Sequence, residues 1–207
     1  MMAKKQSDPG RYIVAWSGGL DSTALLHWYA TTSSEAYQVV AVSVIGHPNL
    51  NKFQLSLQNK AQARFLKYAK SKGYHIEHRK IKIGGSGIWD GPSDGTGQPI
   101  LWALAIAASL RDNDTVLMGY ICKDDFWHYK HQFLKLFNAI CEFKGVKATI
   151  EFPFEWVEKA EVIDKIAKVP KNCWFSCDRT NNNKPCGICK KCLAIQKCFA
   201  KKQPSIS

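Results

Sequence analysis

The chain has 207 residues, a length that suits one domain with a small appendage and allows a sizeable hydrophobic core. Hydrophobic residues make up 45% of the chain and charged residues 22%. The net charge of +12 indicates either an attraction to anionic ligands such as nucleic acid or phosphates, or simply a lysine-rich solvated surface. Met1–Arg11 lacks the apolar core of a signal peptide, and the longest apolar stretch, Ile100–Leu110, is about half a membrane span. We therefore expect a soluble, cytoplasmic protein without a membrane partner.

Apolar segments alternate with helix-like segments along most of the chain. In chain order, the predicted elements are a strand at Tyr12–Trp16, a helix at Thr23–Ala30, a strand at Gln38–Val44, a helix at Asn51–Lys72, a strand at His75–Ile83, a helix at Pro99–Leu110, a strand at Thr115–Met118, a helix at His128–Phe143, a strand at Thr149–Phe152 and a helix at Lys159–Ala167. This alternation predicts an α/β fold, a doubly wound parallel sheet of about five strands.

In parallel sheets ligands bind at the carboxyl ends of the strands. That rule places four segments on one edge of the predicted sheet: Ser17–Ser22, the residues after Val44, the segment Gly84–Gly97 and Gly119–His128. Gly84–Gly97 holds six glycines in fourteen residues, so we predict a long loop there, of the kind that is usually functional or mobile.

The strongest local signal is the sequence Ser17-Gly18-Gly19-Leu20-Asp21-Ser22, directly after a predicted strand and before a helix. Its glycines let a ligand approach the main chain, and the amides at the start of the helix favour an anion. The two serines add hydroxyl donors, whereas Asp21 cannot face a phosphate directly and is predicted to hold Mg²⁺ or to fix the loop. Neither the G-x-x-x-x-G-K nor the G-x-G-x-x-G pattern occurs in the chain.

A second signal lies near the C-terminus, where Cys177, Cys186, Cys189 and Cys192 follow the pattern C-x₈-C-x₂-C-x₂-C. Thiolates at this spacing suit a structural Zn²⁺ site, and an iron–sulfur cluster is the main competitor. Cys173 is a fifth candidate that could replace Cys177 as the first ligand. We predict a zinc knuckle with a C-terminal helix at residues 169–207, following an ATP-binding domain at residues 1–168.

The loop at Ser17–Ser22 resembles the PP-loop of the N-type ATP pyrophosphatases. Together with the cysteine pattern, it makes the chain similar to the 7-cyano-7-deazaguanine synthase (QueC) family. Phe175-Ser176-Cys177 resembles the Trp-Ser-Cys of that family, and the helix ending at Ser109 with the following strand to Gly119 resembles its middle portion.

The resemblance implies an ATP-dependent C–N ligase. Its substrate would be 7-carboxy-7-deazaguanine and its nitrogen donor ammonia, with the carboxylate adenylated, converted to the amide and then to the nitrile. ATP and Mg²⁺ would bind at Ser17–Ser22, Val44 and Gly119, with Asp21, Ser22 and Asp124 in catalysis. The relatives also suggest a homodimer.

The chain departs from the family in three segments that would face the substrate. They are Ile45-Gly46-His47, Gly97-Gln98-Pro99-Ile100 and Lys123-Asp124-Asp125-Phe126-Trp127-His128. The product could therefore be the amide or the nitrile, or the substrate a different acid.

Smaller candidates occur in and around these segments. Asp124 or Asp125 could accept hydrogen bonds from a guanine-like edge, and Trp89 or Trp127 could stack on a flat ring, although single tryptophans are more often core residues. His128 is a candidate base for ammonia, and His27 is expected to be a packing residue.

Two other functions fit the same signals. One is a PP-loop enzyme that modifies tRNA, with the basic surface and the zinc knuckle binding RNA. The other is a zinc-ribbon protein that binds nucleic acid on an inactive nucleotide-binding fold, against which the intact Asp21 and the loop serines argue.

Overall fold

The structure is a computed structural model that describes residues 10–34, 37–45, 52–83, 97–181 and 184–200. The main elements are β1 (Arg11–Ala15), α1 (Leu20–Thr32), β2 (Gln38–Ile45), α2 (Lys52–Ser71), β3 (Ile76–Lys82), α3 (Gly97–Ser109), β4 (Asp114–Leu117), α4 (Lys130–Lys144), β5 (Thr149–Glu151) and α5 (Lys159–Lys165). They are followed by two short strands, β6 (Thr180–Asn181) and β7 (Lys184–Pro185), and by α6 (Lys190–Ala200).

The first five strands form one sheet in the order β3-β2-β1-β4-β5, and every neighbouring pair is parallel. This confirms the predicted α/β fold with a five-stranded parallel sheet. Strand order reverses between β1 and β4, so the crevice beyond their carboxyl ends is where a ligand binds in sheets of this kind.

Alternate residues of the central strands point to opposite faces of the sheet, as the two-residue period of a strand requires. On one face, Val14 is buried in a cluster with Leu25 of α1, Phe65 of α2 and Val162 of α5. On the other face, Ile13 is buried with residues of α3 and α4, including Ile106 and Phe137. Helices therefore cover both faces, which leaves the strand ends as the natural place for a site.

Two helix starts differ from the predicted element bounds in a way that affects the candidate site. Helix α1 begins at Leu20, three residues earlier than predicted, so it starts inside the loop motif. Helix α4 begins at Lys130, because Asp124 caps a separate 3₁₀ turn at Asp125–Tyr129 that contains His128.

The glycine-rich segment predicted as a loop lies outside the described residues, except for Gly97, which begins α3. Trp89 and the Gly46-His47 pair also lie outside them.

The C-terminal segment contains a short 3₁₀ turn at Lys171–Cys173 and an antiparallel pair formed by β6 and β7. Val169 and Cys173 are buried in the same cluster as the core of the sheet, and Phe175, Cys177 and Cys192 form a small separate cluster with Ala61 of α2. The division of the chain at residue 168 stays a prediction. Among the described residues, no helix has both the length and the apolar character that a membrane span requires.

Candidate functional site

The loop at Ser17–Ser22 joins β1 to α1 in a sharp turn. Gly18 has a φ of +80°, and a Cβ atom at this position would lie 2.9 Å from Cγ of Gln62. Both the left-handed conformation and the close approach of α2 require glycine here. Gly19 is the extended residue that precedes the first turn of α1, and because it has no side chain it cannot cap the helix itself.

The two loop serines bind each other. Oγ of Ser17 lies 3.0 Å from Oγ of Ser22, and the amide of Ser17 donates to the Ser22 hydroxyl at 3.2 Å. The amide of Gly19 donates to Oγ of Ser17 at 3.2 Å. The serines therefore hold the loop in its turn, and their predicted contact with a phosphate stays a prediction.

Gly119 follows β4 and lies against the start of α1. A Cβ atom at Gly119 would lie 3.2 Å from Cα of Ser22 and 3.3 Å from its amide nitrogen. The missing side chain allows the strand end and the helix start to approach closely. Gly119 therefore packs against the first turn of α1, next to the predicted nucleotide site.

Asp21 forms an ion pair that the sequence did not reveal. Nζ of Lys159, the first residue of α5, lies 2.7 Å from both carboxylate oxygens of Asp21. The two side chains are 20% and 26% exposed, so a ligand in the crevice could reach both. The pair brings a positive charge to the phosphate loop. Lys159 opens the helix after β5 and so lies on the predicted edge, which is the signal that could have identified it.

Asp124 lies on the loop after β4, near enough to Asp21 for the two negative charges to interact. Its carboxylate accepts a hydrogen bond from the amide of Phe126 at 3.1 Å and caps the 3₁₀ turn. Burial is the main cause that raises the pKa of Asp124, and the nearby negative charge of Asp21 raises it further. Two carboxylates that repel each other at the mouth of a phosphate loop are suitable ligands for a hard cation such as Mg²⁺.

The other residues predicted for the substrate wall have mixed surroundings. Trp127 is half-buried, donates from Nε1 to the carbonyl of Ile121 at 2.7 Å and contacts the ring of Phe152, so it is a packing residue in this structure. His128 is exposed on the 3₁₀ turn, and Val44 is half-buried at the end of β2. Their predicted ligand contacts stay predictions.

His27, predicted to be a packing residue, is buried among the rings of Phe65, Tyr68 and Tyr74. This environment confirms the prediction.

The structure brings together the four cysteines of the spacing pattern. The sulfur atoms of Cys177, Cys186, Cys189 and Cys192 all lie within 4.8 Å of one another, and Sγ of Cys189 is 4.0 Å from Sγ of Cys177. Sulfurs around a tetrahedral zinc ion at 2.3 Å would be about 3.8 Å apart. The cluster therefore fits a metal ion after only small movements.

Backbone amides support the ligand sulfurs. The amide of Cys186 donates to Sγ of Cys177 at 3.3 Å, and the amide of Asp178 donates to Sγ of Cys189 at 3.5 Å. Burial acts to raise the pKa of Cys189, but hydrogen bonds from Asp178 and the neighbouring cysteines outweigh it and lower that pKa to about 6. Burial raises the pKa of Cys192 to about 12. A bound cation would favour the thiolate form of all four side chains.

Cys173, the alternative first ligand, lies in the main hydrophobic core and is absent from this group of four. The cluster supports metal binding, while the choice between zinc and an iron–sulfur cluster stays open.

The segment between these two features contacts the phosphate loop directly. The amide of Phe175 donates to the carbonyl of Gly18 at 2.9 Å. The amide of Leu20 donates to Oγ of Ser176 at 3.1 Å. The loop motif and the cysteine motif thus meet in one site across 156 positions of the sequence, since Cys177 follows Ser176.

The chain is similar to a protein family and to proteins of known structure. The family model described as "Queuosine biosynthesis protein QueC" matches residues 99–203, from α3 through the cysteine cluster. The U34-tRNA thiolase NcsA from Methanococcus maripaludis, solved with its [4Fe-4S] cluster, is 14% identical, with a TM-score of 0.49. The match covers 94% of this chain and 66% of that one, and the similarity is too low to indicate an activity. No curated protein matches the chain.

Proposed function

We propose that this chain, which belongs to the family of the queuosine biosynthesis protein QueC as a divergent PP-loop member, binds ATP at that loop and converts 7-carboxy-7-deazaguanine and ammonia to the amide and then the nitrile. The observation that carries this proposal is the meeting of the two motifs. The family match covers the C-terminal half of the chain, and that half contributes Lys159 and Ser176 to the phosphate loop of the N-terminal half.

The proposed chemistry begins at the phosphates of ATP. A carboxylate oxygen of the substrate attacks the α-phosphorus, the bond to the bridging oxygen breaks, and pyrophosphate leaves. Negative charge develops on the leaving group, where the amides at the start of α1 and the ammonium of Lys159 can stabilise it. Asp21 holds that ammonium in place from one side.

The acyl-adenylate then makes a difficult substitution possible. Ammonia attacks the acyl carbon, AMP leaves with the electron pair of the broken C–O bond, and one proton is released to give the amide. A second adenylation, on the amide oxygen, lets AMP depart with that oxygen as two protons leave the nitrogen, which gives the nitrile. The same loop can serve both adenylations.

The carboxylates of Asp21 and Asp124 are the side chains that would hold Mg²⁺. When bound, the ion would neutralise charge on the phosphate oxygens. In the same proposal, Asp124 accepts hydrogen bonds from the N–H edge of the deazaguanine. Ammonia as the nitrogen donor and a homodimer, as in the relatives, belong to the same proposal.

Pyrophosphate release tests the proposal directly. The protein is incubated with ATP, Mg²⁺, ammonium and 7-carboxy-7-deazaguanine, and pyrophosphate and the product mass are followed together. We expect pyrophosphate release that requires the substrate, and product masses for the amide and nitrile. The matched control is 7-deazaguanine, which lacks the carboxylate and should release none.

Two results would contradict the proposal. Absence of substrate-dependent pyrophosphate from a protein that still binds ATP would exclude this substrate. Pyrophosphate release stimulated by tRNA instead would indicate the tRNA-modifying activity. Accumulation of the amide product alone would limit the reaction to its first half.

The Asp21→Asn variant should lose adenylation while keeping its fold, because the asparagine side chain carries no charge to hold Lys159 or Mg²⁺.

A further inference from the structure

Helix α1 is capped by a residue that lies far away in the sequence. The first amides of a helix have no partner within the helix, and a side chain just before it usually accepts from one of them. Here that preceding residue is Gly19, which has no side chain to do so. Oγ of Ser176 accepts instead from the amide of Leu20 at 3.1 Å, across 156 positions of the sequence.

This contact fixes the direction of the loop amides. Leu20 is the first residue of α1, so holding its N–H also sets the orientation of the next two amides, those of Asp21 and Ser22. The amide of Phe175 adds a second bond, to the carbonyl of Gly18 at 2.9 Å. Together the two bonds attach the segment at 175–176 to both sides of the turn at Gly19.

The same segment is anchored at its other end in the cysteine cluster. Phe175 is buried with Cys177 and Cys192 in the small third cluster. Sγ of Cys192 lies 3.9 Å from the carbonyl of Ser176, and the amide of Cys186 donates to Sγ of Cys177. The positions of these sulfurs therefore determine where the Ser176 hydroxyl lies.

We propose that Ser176 is a positioning residue that couples the cysteine metal site to ATP binding. A bound metal ion draws the four sulfurs together, which holds Ser176 against the amide of Leu20 and keeps the loop in the form that binds phosphate. This inference rests on the proposed binding of ATP at the loop. Because coupling between two sites is reciprocal, ATP must also strengthen metal retention by the same factor.

The first experiment measures the affinity for a non-hydrolysable ATP analogue by calorimetry, together with the metal content of each variant. Ser176→Ala should bind the analogue roughly 3- to 10-fold more weakly, as expected for the loss of one hydrogen bond, while keeping its metal. Ser176→Thr retains a hydroxyl and should restore most of the affinity. Ser71→Ala, which removes an exposed hydroxyl at the end of α2, is the matched control and should bind like the wild type.

The second experiment uses the wild-type protein alone and does not depend on the variants folding. A chelator competes for the metal with and without the analogue. The analogue should strengthen metal retention, and metal removal should weaken analogue binding by an equal factor. The inference is overturned if Ser176→Ala binds the analogue with unchanged affinity. It is also overturned if the wild type binds the analogue but does not retain its metal more strongly.

Failure of the proposed function can be separated from failure of this inference. If the wild type does not bind the analogue, the proposed function is wrong. Amide hydrogen exchange then still tests the contact, because metal removal should speed exchange at Leu20 whether or not ATP binds. Unchanged exchange at Leu20 after metal removal would overturn the inference by itself.

Discussion

Strands β1 and β4 lie side by side, and each end of this pair is associated with an ion pair of a different kind. At the amino end, Nη2 of Arg11 lies 2.6 Å from Oδ2 of Asp114, and the two side chains are 4% and 1% exposed. The Asp114 carboxylate also accepts from Nε of Arg11 and from the amide of Arg111. This carboxylate is enclosed by donors of the protein itself.

At the carboxyl end, Lys159 and Asp21 are joined at 2.7 Å but remain about one-quarter exposed. A lysine ammonium is a flexible point charge, whereas the arginine guanidinium is a planar fork that fixes its partner. The enclosed pair at the amino end therefore stabilises the fold. The pair at the carboxyl end keeps a partly exposed positive charge that a bound phosphate could contact. We therefore expect a substitution at the amino end to lower mainly the stability, and a substitution at the carboxyl end to lower mainly the activity.

The largest effect on stability is expected for Asp114→Ala. Removing this carboxylate leaves the Arg11 guanidinium buried without a counter-charge, which should cost about 3–5 kcal/mol in the free energy of unfolding. Urea unfolding measures the change. Glu77→Ala, in a half-exposed pair with Arg79, is the control and should cost about 1 kcal/mol or less. Similar losses for the two variants would show that the amino-end pair is not the stabilising one.

The next effect should appear in activity and hardly in stability. Lys159→Met keeps the length of the side chain but removes its charge, so pyrophosphate release should fall roughly 100-fold. The free energy of unfolding should change by less than about 1 kcal/mol, since the pair is partly solvated. Lys67→Met, at an exposed lysine of α2, is the matched control and should remain fully active. A stable Lys159→Met variant with full activity would remove Lys159 from the proposed mechanism.

Some features of the two strand ends are predictable from the sequence, and others are not. The central strands were predictable because buried parallel strands form continuous apolar runs, as in the segment around Ile13 and Val14. Strand β3 (Ile76–Lys82) is more polar and shows only a partial alternation of apolar and polar residues. The loop motif and the four cysteines were predictable because their spacing is local. The chain has 29 Lys and Arg residues, and the predicted start of the last helix places Lys159 on the carboxyl edge without naming its partner. The fold identifies that partner as Asp21.

Ser176 belongs to a tripeptide that resembles the family, and the sequence alone indicates no role for its hydroxyl. Its role as a cap depends on a contact across 156 positions, which no periodicity reports. The start of α4 differs from the prediction by two residues for a local reason. The helical pattern continues back to His128, but the carboxylate of Asp124 caps a 3₁₀ turn there and delays the α-helix to Lys130.

Gly119→Ala should give a smaller effect that is again confined to the carboxyl end. The added Cβ would lie 3.2–3.3 Å from the backbone of Ser22, so α1 must shift by a few tenths of an ångström. We expect a loss of about 1–2 kcal/mol in unfolding free energy and weaker binding of the ATP analogue. Gly73→Ala is the control, since its φ of +77° makes it costly in stability without any contact near the loop. Equal analogue affinity in both variants would contradict the role of Gly119.

A further effect, which appears only when the pH falls, concerns the ring of His78. Its Nε2 lies 3.0 Å from Oγ of Ser43, whose hydroxyl donates to the carbonyl of Trp16, the residue before the phosphate loop. Burial is the main cause that lowers the pKa of His78 to about 4, and the charge of Lys80 contributes. The unfolded chain, with an ordinary value near 6.5, therefore binds more protons than the folded protein between these pH values.

The sign follows directly: this contribution to stability is fully present above pH 6.5 and is lost as the pH falls towards 4. Because the ring is partly exposed, solvent screening limits the loss to about 1–2 kcal/mol. His78→Gln removes the titrating ring, so urea unfolding at pH 7 and pH 5 should differ less in the variant than in the wild type. Burial also lowers the pKa of His27, which titrates in both proteins and cancels in the comparison. An identical pH dependence in the wild type and in His78→Gln would show that the folded protein does not keep the His78 ring unprotonated.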